Sequence, residues 1–213
     1  MTTWHHVPSR PRVESVTDES LWSRTRRAAY DEIATVAMDL FLDKGFDATT
    51  IDDIAAAAGI SRRSFFRYFG TKEDLVIGHL VADGAGLRAA LEQRPDSEDA
   101  WTALLRAFLA LDDPSMPRER MLKVSSMVYG TPSLRARSAE KHLGWYEELV
   151  PEVRRRLTAG GDAGPYPELR ARSIVAAAIA CLDAAGEEWT RAGGKPALGK
   201  LLTAAFTAVA PTG

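Results

Sequence analysis

Thr49-Thr50-Ile51-Asp52-Asp53-Ile54-Ala55-Ala56-Ala57-Ala58-Gly59-Ile60-Ser61-Arg62-Arg63-Ser64-Phe65-Phe66-Arg67-Tyr68-Phe69-Gly70-Thr71-Lys72, residues 49–72, is the stretch that decides the fold. It reads as two short helices around a glycine. Either Thr49 or Thr50 serves as N-cap of the first, and Asp52 and Asp53 sit in its first turn, where the helix dipole favours carboxylates. Ala55 to Ala58 are small enough for close helix contact, and Gly59 breaks the helix. Ser61 caps the second helix, Arg62 to Tyr68, which Gly70 ends. Two short helices around a glycine-containing turn, just after a longer helix, form the helix-turn-helix pattern.

The second short helix divides its residues by face. Phe65 and Phe69, four apart, face the core; Arg62 and Phe66 share a neighbouring face; Arg63 and Arg67 lie outward. Backbone N–H groups from Ser61 to Ser64 offer a favourable site for phosphate. Arginines on a helix surface are often no more than solvated charge. Here three of them, two hydroxyls and an aromatic crowd one exposed end, and Lys72 follows. Guanidinium forks suit guanine edges and phosphates, and a thymine methyl would cover an otherwise costly exposed Phe66.

Upstream, Tyr30, Ile33, Ala37, Leu40 and Phe41 recur at helical spacing as one buried stripe, stopped by Gly45. Residues 1–20, with Pro8, Pro11 and few aliphatics, read as a flexible tail in which Arg10 and Arg12 are solvated. Downstream, Thr71 and Asp74 resemble a capping box at the start of a long fourth helix reaching about Leu91. Its Gly78, Gly84 and Gly86 permit either a bend or close packing. Further apolar stripes run through Trp101–Phe108, Met121–Val128, Ala139–Leu157 (where Pro151 should kink or split the helix), Ile174–Trp189 and Leu198–Val209. The expected fold is all-α, with about nine helices: a helix-turn-helix module over residues 21–70 joined to a larger helical domain over residues 71–213.

Composition excludes several function classes. No apolar run approaches the roughly 20 residues that span a bilayer, and Met1 to Pro11 do not resemble a secretory signal, so no membrane partner and a cytoplasmic location are expected. The single cysteine, Cys181, excludes an internal disulfide framework and a cysteine metal cluster. His142 has no metal-ligand partner at helical spacing, so no metal is expected. A helical hydrolase or transferase is the first rival, but there is no Gly-x-Ser-x-Gly elbow, P-loop or dinucleotide fingerprint, and hence no enzyme activity or cofactor is expected. Asp52-Asp53 and Glu187-Glu188 are adjacent pairs that point to different helix faces, a poor basis for a catalytic dyad. A non-specific architectural DNA binder would be strongly basic, whereas the net charge is −2. A helical interaction protein with no DNA role is the remaining rival.

The pattern Ala34-x-x-Ala37-x-x-Leu40-Phe41-x-x-x-Gly45-Phe46-x-x-Thr49-Thr50-Ile51-x-x-Ile54-Ala55-x-x-Ala58-Gly59-Ile60-Ser61-x-x-x-Phe65-Phe66-x-Tyr68-Phe69-x-x-Lys72-Glu73-x-Leu75 resembles the TetR-family DNA-binding domain. The resemblance implies a transcriptional regulator, commonly a repressor, that binds a palindromic double-stranded operator as a homodimer and is released by a small-molecule effector. By resemblance, Thr50 and Ser61 anchor phosphates, Arg62, Arg63, Ser64 and Phe66 face the major groove, and Tyr68 and Lys72 grip phosphates beside it. Arg67 joins this DNA-facing set from its outward position, and Arg24, Arg26 and Arg27 stand at the start of the first helix, within reach of phosphates or the minor groove. Phe66 departs from the family's usual tyrosine and lacks its hydroxyl.

In this family the remaining helices form a ligand pocket and a dimer interface. The alanine-rich eighth helix, with Leu198 to Phe206 of the ninth, suits a four-helix contact between two copies. Pocket candidates are Trp101, Phe108, Met121, Met127, Tyr129, His142, Trp145 and Tyr146, since aromatic and methionine side chains adapt to apolar ligands. The C-terminal half resembles the actinobacterial group that includes mycofactocin-associated and acyl-coenzyme-A-responsive regulators, which implies a hydrophobic or acyl-CoA-like effector.

Overall fold

The computed structural model describes residues 21–80, 84–111, 116–160 and 164–209. The tail expected over residues 1–20, with Arg10 and Arg12, lies outside them. The described residues form ten helical segments: α1 (Leu21–Lys44), α2 (Ile51–Ala57), α3 (Arg62–Tyr68), α4 (Lys72–Leu80), α5 (Gly84–Glu92), α6 (Ala100–Leu109), α7 (Arg118–Gly130), α8 (Pro132–Ala159), α9 (Pro167–Arg191) and α10 (Leu198–Val209). The long fourth helix expected from the sequence corresponds to α4 and α5, on either side of residues 81–83. The α8 helix runs on through Pro151 and is not split there.

Local chemistry sets each of the first boundaries. On α1, Ile33, Ala34, Ala37, Met38 and Phe41 form the buried stripe. Gly45, at φ 89°, then takes the left-handed conformation that ends a helix cheaply. The two threonines divide the work that follows. Thr50 caps α2 in a reciprocal box with Asp53, whereas Thr49 is buried and donates its hydroxyl to Gly45 O at 2.8 Å, which holds the α1–α2 turn closed. Ser61 caps α3 by accepting from Ser64 N at 3.1 Å. Thr71 and Asp74 form the expected box at the head of α4: Thr71 N donates to Asp74 Oδ2 at 2.9 Å, and Asp74 N donates to Thr71 Oγ1 at 3.2 Å.

There are two cores. The N-terminal one joins α1, α2 and α3 to Leu75, Val76 and Ile77 of α4, and is completed by Val124 of α7 and Leu134 of α8. The C-terminal one is built from α5, α6, α8, α9 and α10 around Leu104, Trp145, Leu149, Val175 and Phe206. Ion pairs also span the junction: Arg137 of α8 reaches Asp74 at 2.6 Å, and Arg120 of α7 reaches Asp39 of α1 at 2.8 Å.

Two of the three glycines expected on the fourth helix are close-packing sites. A Cβ on Gly78 would stand 2.6 Å from the Tyr30 hydroxyl, and one on Gly84 would stand 3.0 Å from Glu148 Cγ and 3.3 Å from Trp145 Cδ1. Both are therefore kept small by a large side chain on a neighbouring helix.

Candidate functional site: a nucleic-acid interface and a cavity

The α3 helix stands on two phenylalanines. Phe65 is 0% and Phe69 3% exposed, their rings 5.4 Å apart, with Tyr30 of α1 stacked 4.4 Å from Phe69. With that face buried, the other side of the same two turns must face solvent. Ser61, Arg62, Arg63, Phe66 and Arg67 are exposed, Ser64 and Tyr68 half-buried. Phe66 is 49% exposed and packs edge-on against Phe65, a costly position for a phenyl ring in water.

Two of the α3 arginines have close partners. Arg62 Nη1 donates to both carboxylate oxygens of Asp52, at 3.0 and 3.2 Å, and its guanidinium lies 5.9 Å from the Phe66 ring. Arg67 lies 5.3 Å from the Tyr68 ring. Arg24 and Arg26 are exposed on the first turns of α1.

Three of the other residues implicated by resemblance also hold the module together. Thr50 directs both its donors at Asp53 Oδ2, the N–H at 2.9 Å and the hydroxyl at 2.6 Å, which depresses the Asp53 carboxyl below the usual range. Ser61 spends its hydroxyl proton on Ser64 Oγ at 3.0 Å. Lys72 Nζ donates to Phe46 O at 2.7 Å and Thr49 O at 3.0 Å and lies 4.3 Å from the Phe46 ring. Two of its three protons thus bind the carbonyls at the α1–α2 turn, and one remains for a phosphate. Lys72→Ala is accordingly expected to lower the melting temperature as well as weaken DNA binding on every sequence alike, and thermal denaturation beside a gel shift on two unrelated DNAs measures both effects.

The second feature is a cavity of about 240 Å³ between α4, α7, α8 and α9, just below the usual size of ligand pockets. Of the eight sequence candidates, Met121, Tyr129, His142 and Trp145 line it. The others go elsewhere. Trp101 stacks on Phe206 at 4.4 Å and donates its indole N–H to Phe206 O, and Phe108 packs on the same ring at 6.2 Å, so both serve the α6–α10 contact. Met127 turns toward α1, beside Phe41 and Phe46. Tyr146 sits on the edge of the C-terminal core, 6.0 Å from the Arg172 guanidinium.

Residues outside the sequence's pocket candidates complete the wall, above all Asp183, Gly186 and Trp189 of α9. Their spacing of three puts them on one helical face with Leu182, the available signal in a segment dominated by alanine. His142 Nδ1 lies 3.4 Å from Asp183 Oδ2, and its ring stacks 4.8 Å from Trp145. The hydroxyl end of Tyr129 abuts Gly186, where an added Cβ would fall 2.2 Å from the Tyr129 oxygen. Burial, and then the charges of Asp183 and Glu187, push the Tyr129 phenol well up, which keeps it protonated. Ile77, Val124 and Val128 line the cavity and belong to, or pack against, the N-terminal core. Among the described residues no group of three or more His, Cys, Asp or Glu converges on a metal-sized site. No described helix is long and apolar enough to cross a membrane.

Comparison with known proteins agrees with this geometry. Residues 33–78 match the domain of bacterial regulatory proteins of the tetR family, and residues 98–212 match the MftR C-terminal domain. MftR of Mycobacterium tuberculosis, named for transcriptional regulation of mycofactocin biosynthesis, is 34% identical over 177 residues, 81% of this chain and 85% of that protein. The transcriptional regulator TcmR of Streptomyces glaucescens is 31% identical over 176 residues, 79% of this chain and 76% of that one. Among solved structures, FadR of Bacillus subtilis in complex with stearoyl-CoA has the same fold, with a TM-score of 0.56 at 18% identity over 86% of this chain and 100% of that one. With one domain match at the helix-turn-helix, another over more than half of its length, and full-length relatives that are regulators, the chain belongs to the TetR family of bacterial transcriptional regulators.

Proposed function

We propose that this regulator grips a palindromic operator through α3 as a homodimer and that a small molecule in the α7–α8–α9 cavity releases it. Residues 21–70 then form the DNA-binding module and residues 71–213 the effector-binding and dimerisation domain. The observation that carries the first half is the division of α3: two buried phenylalanines beneath, and Arg62, Arg63 and Arg67 outside. In this reading Arg62, Arg63, Ser64 and Phe66 face base edges, and Thr50, Ser61, Tyr68 and Lys72 face phosphates. Because Thr50 and Lys72 are already engaged, their phosphate contacts use what those bonds leave or require the Thr50 box to open.

Homodimerisation draws support from α9 and α10. Ala176, Ala180 and Ala184 form an exposed small-residue stripe on α9, and Thr203, Ala204 and Thr207 are exposed on α10. A helix pair of this kind lets a second copy approach closely. Two α3 helices then meet the operator about 34 Å apart, one turn of B-form DNA. An effector acts by favouring a dimer with a different separation, with a coupling of about 1–3 kcal/mol. Ile77, Val124 and Val128 give the route, since each touches both the cavity and the N-terminal core.

A gel shift and footprint on DNA flanking the regulator's own gene test the proposal; absence of a protected palindrome would reject it. Arg62→Ala is expected to cost about 1–3 kcal/mol on the operator and to relax preference at one position, measured by titrating matched and mismatched sites. Equal losses on every DNA would assign Arg62 to phosphate instead. Gly186→Ala is expected to drive Tyr129 into the cavity and so to leave DNA affinity intact while blocking release by effector, read as a gel shift that ligand no longer reverses. Among effectors, an apolar molecule suits the Met- and Trp-rich wall. An acyl-CoA is the second reading, favoured by the FadR proteins of like fold, whose structures hold stearoyl-CoA and lauroyl-CoA.

A further inference from the structure

We propose that the cavity takes an apolar organic cation, a hydrophobic amine or ammonium compound, with its charge beside Asp183 and its apolar body against Trp145 and Trp189. The inference rests on the effector reading of the cavity and concerns the chemistry of the molecule that fills it.

The charge of the wall is one-sided. Among the described residues of the wall, Asp183 is the only carboxylate and there is no lysine or arginine. The cations close by are turned to other work. Lys141 donates to Ile77 O at 3.1 Å, Arg118 donates to Gly194 O, and Arg137 is paired with Asp74 and Glu140. The one basic group on the wall is the His142 imidazole, which addresses a single oxygen of the Asp183 carboxylate at 3.4 Å, and the Asp183 side chain remains 46% exposed. Glu187, one residue beyond Gly186, adds its field at the Tyr129 phenol. A ligand phosphate or carboxylate placed beside Asp183 would meet like charge, with no guanidinium or ammonium among the described lining residues to offset it.

The remaining wall suits the same ligand. Trp145, Trp189 and Tyr129 give the wall its aromatic lining, the two indoles almost wholly buried, and Met116 and Met121 add adaptable apolar surface. A half-exposed carboxylate beside an apolar, aromatic-lined cavity is the chemistry that holds an ammonium group while its hydrocarbon body is desolvated. His142 has a definite part in this scheme. Stacked on Trp145, it keeps the Asp183 carboxylate aimed at the cavity, and an entering ammonium competes with it for that carboxylate.

The test uses matched probes on the full-length protein: 2-(1-naphthyl)ethylamine, 1-naphthylacetate and lauroyl-CoA, each titrated by calorimetry and by release of operator DNA. The amine is expected to bind at least about tenfold tighter than the carboxylate. Asp183→Asn should abolish that preference, and Asp183→Glu should retain it, with circular dichroism confirming that both fold. Gly186→Ala should weaken the amine. If the carboxylate or lauroyl-CoA binds as tightly as the amine, and Gly186→Ala blocks it, the cation inference is overturned while the cavity remains the effector site. If Gly186→Ala leaves the binding of every probe unchanged, the cavity reading fails and the inference falls with it. A preference for the amine that survives in Asp183→Asn also overturns the assignment of the charge to Asp183.

Discussion

Phe65→Ala is expected to abolish operator binding and to cost about 3–5 kcal/mol of stability. The ring is wholly buried, touches Phe69 and Phe66, and is the deepest point at which α3 meets the N-terminal core. Its removal leaves a cavity beneath a helix of seven residues, too short to persist without packing. The loss should therefore be larger in DNA affinity than any single arginine produces, because all the outward groups lose their common support together. Urea denaturation at several protein concentrations gives the stability change, and a gel shift gives the DNA change. Phe65→Leu, which keeps most of the volume, should recover a large part of both. Full DNA binding by Phe65→Ala would mean that α3 is held by something other than this core.

Arg156→Ala is expected to destabilise the C-terminal domain by about 3–5 kcal/mol, the cost of breaking a buried pair. The Arg156 side chain is 2% exposed and donates to Glu152 Oε1 at 2.9 Å, to Pro95 O at 2.9 Å, and to Leu91 O and Arg94 O at 2.8 Å each. Alanine leaves the carbonyls that end α5 without these donors and Glu152 with one arginine instead of two. Arg155 provides the contrast. It bonds Glu152 and Asp96, each at 2.7 Å, but its side chain is 47% exposed, so Arg155→Ala should cost no more than about 1 kcal/mol.

The same cluster sets an acid limit. Hydrogen bonds from Arg155, opposed by burial and aided by the charges of Arg155 and Arg156, hold the Glu152 carboxyl below its ordinary range. A depressed carboxyl stabilises the fold fully above its unfolded pKa, and that stabilisation is lost as pH falls through the lowered folded value. Unfolding midpoints should therefore drop in acid below the usual carboxylate range. Glu152→Gln should be less stable at neutral pH yet show a shallower acid fall, measured by urea titration across that range.

The outcome for particular residues separates what was legible from what was not. The Thr71–Asp74 box, the stop at Gly45 and the buried pair Phe65 and Phe69 were readable because each depends on residues three or four apart on one helix. Thr49 and Thr50 could not be told apart locally, since both precede the helix and only the packing of the α1–α2 turn buries one of them. Lys72 looked like a phosphate ligand alone, because its bonds to Phe46 and Thr49 cross more than twenty residues of chain.

The aromatic residues of the larger domain make the same point. Trp101, Phe108, Trp145 and Trp189 all lie on apolar faces, yet only the last two reach the cavity. A helical period tells which face is buried, not which neighbouring helix covers it. Thus the chain's own order of residues determined the helices, their caps and the solvent-facing side of α3, all products of short-range sterics and hydrogen bonding. The tertiary structure alone decided the membership of the cavity, the packing role of Gly78, Gly84 and Gly186, and the burial of Arg156, because each depends on how closely helices distant in the chain approach one another.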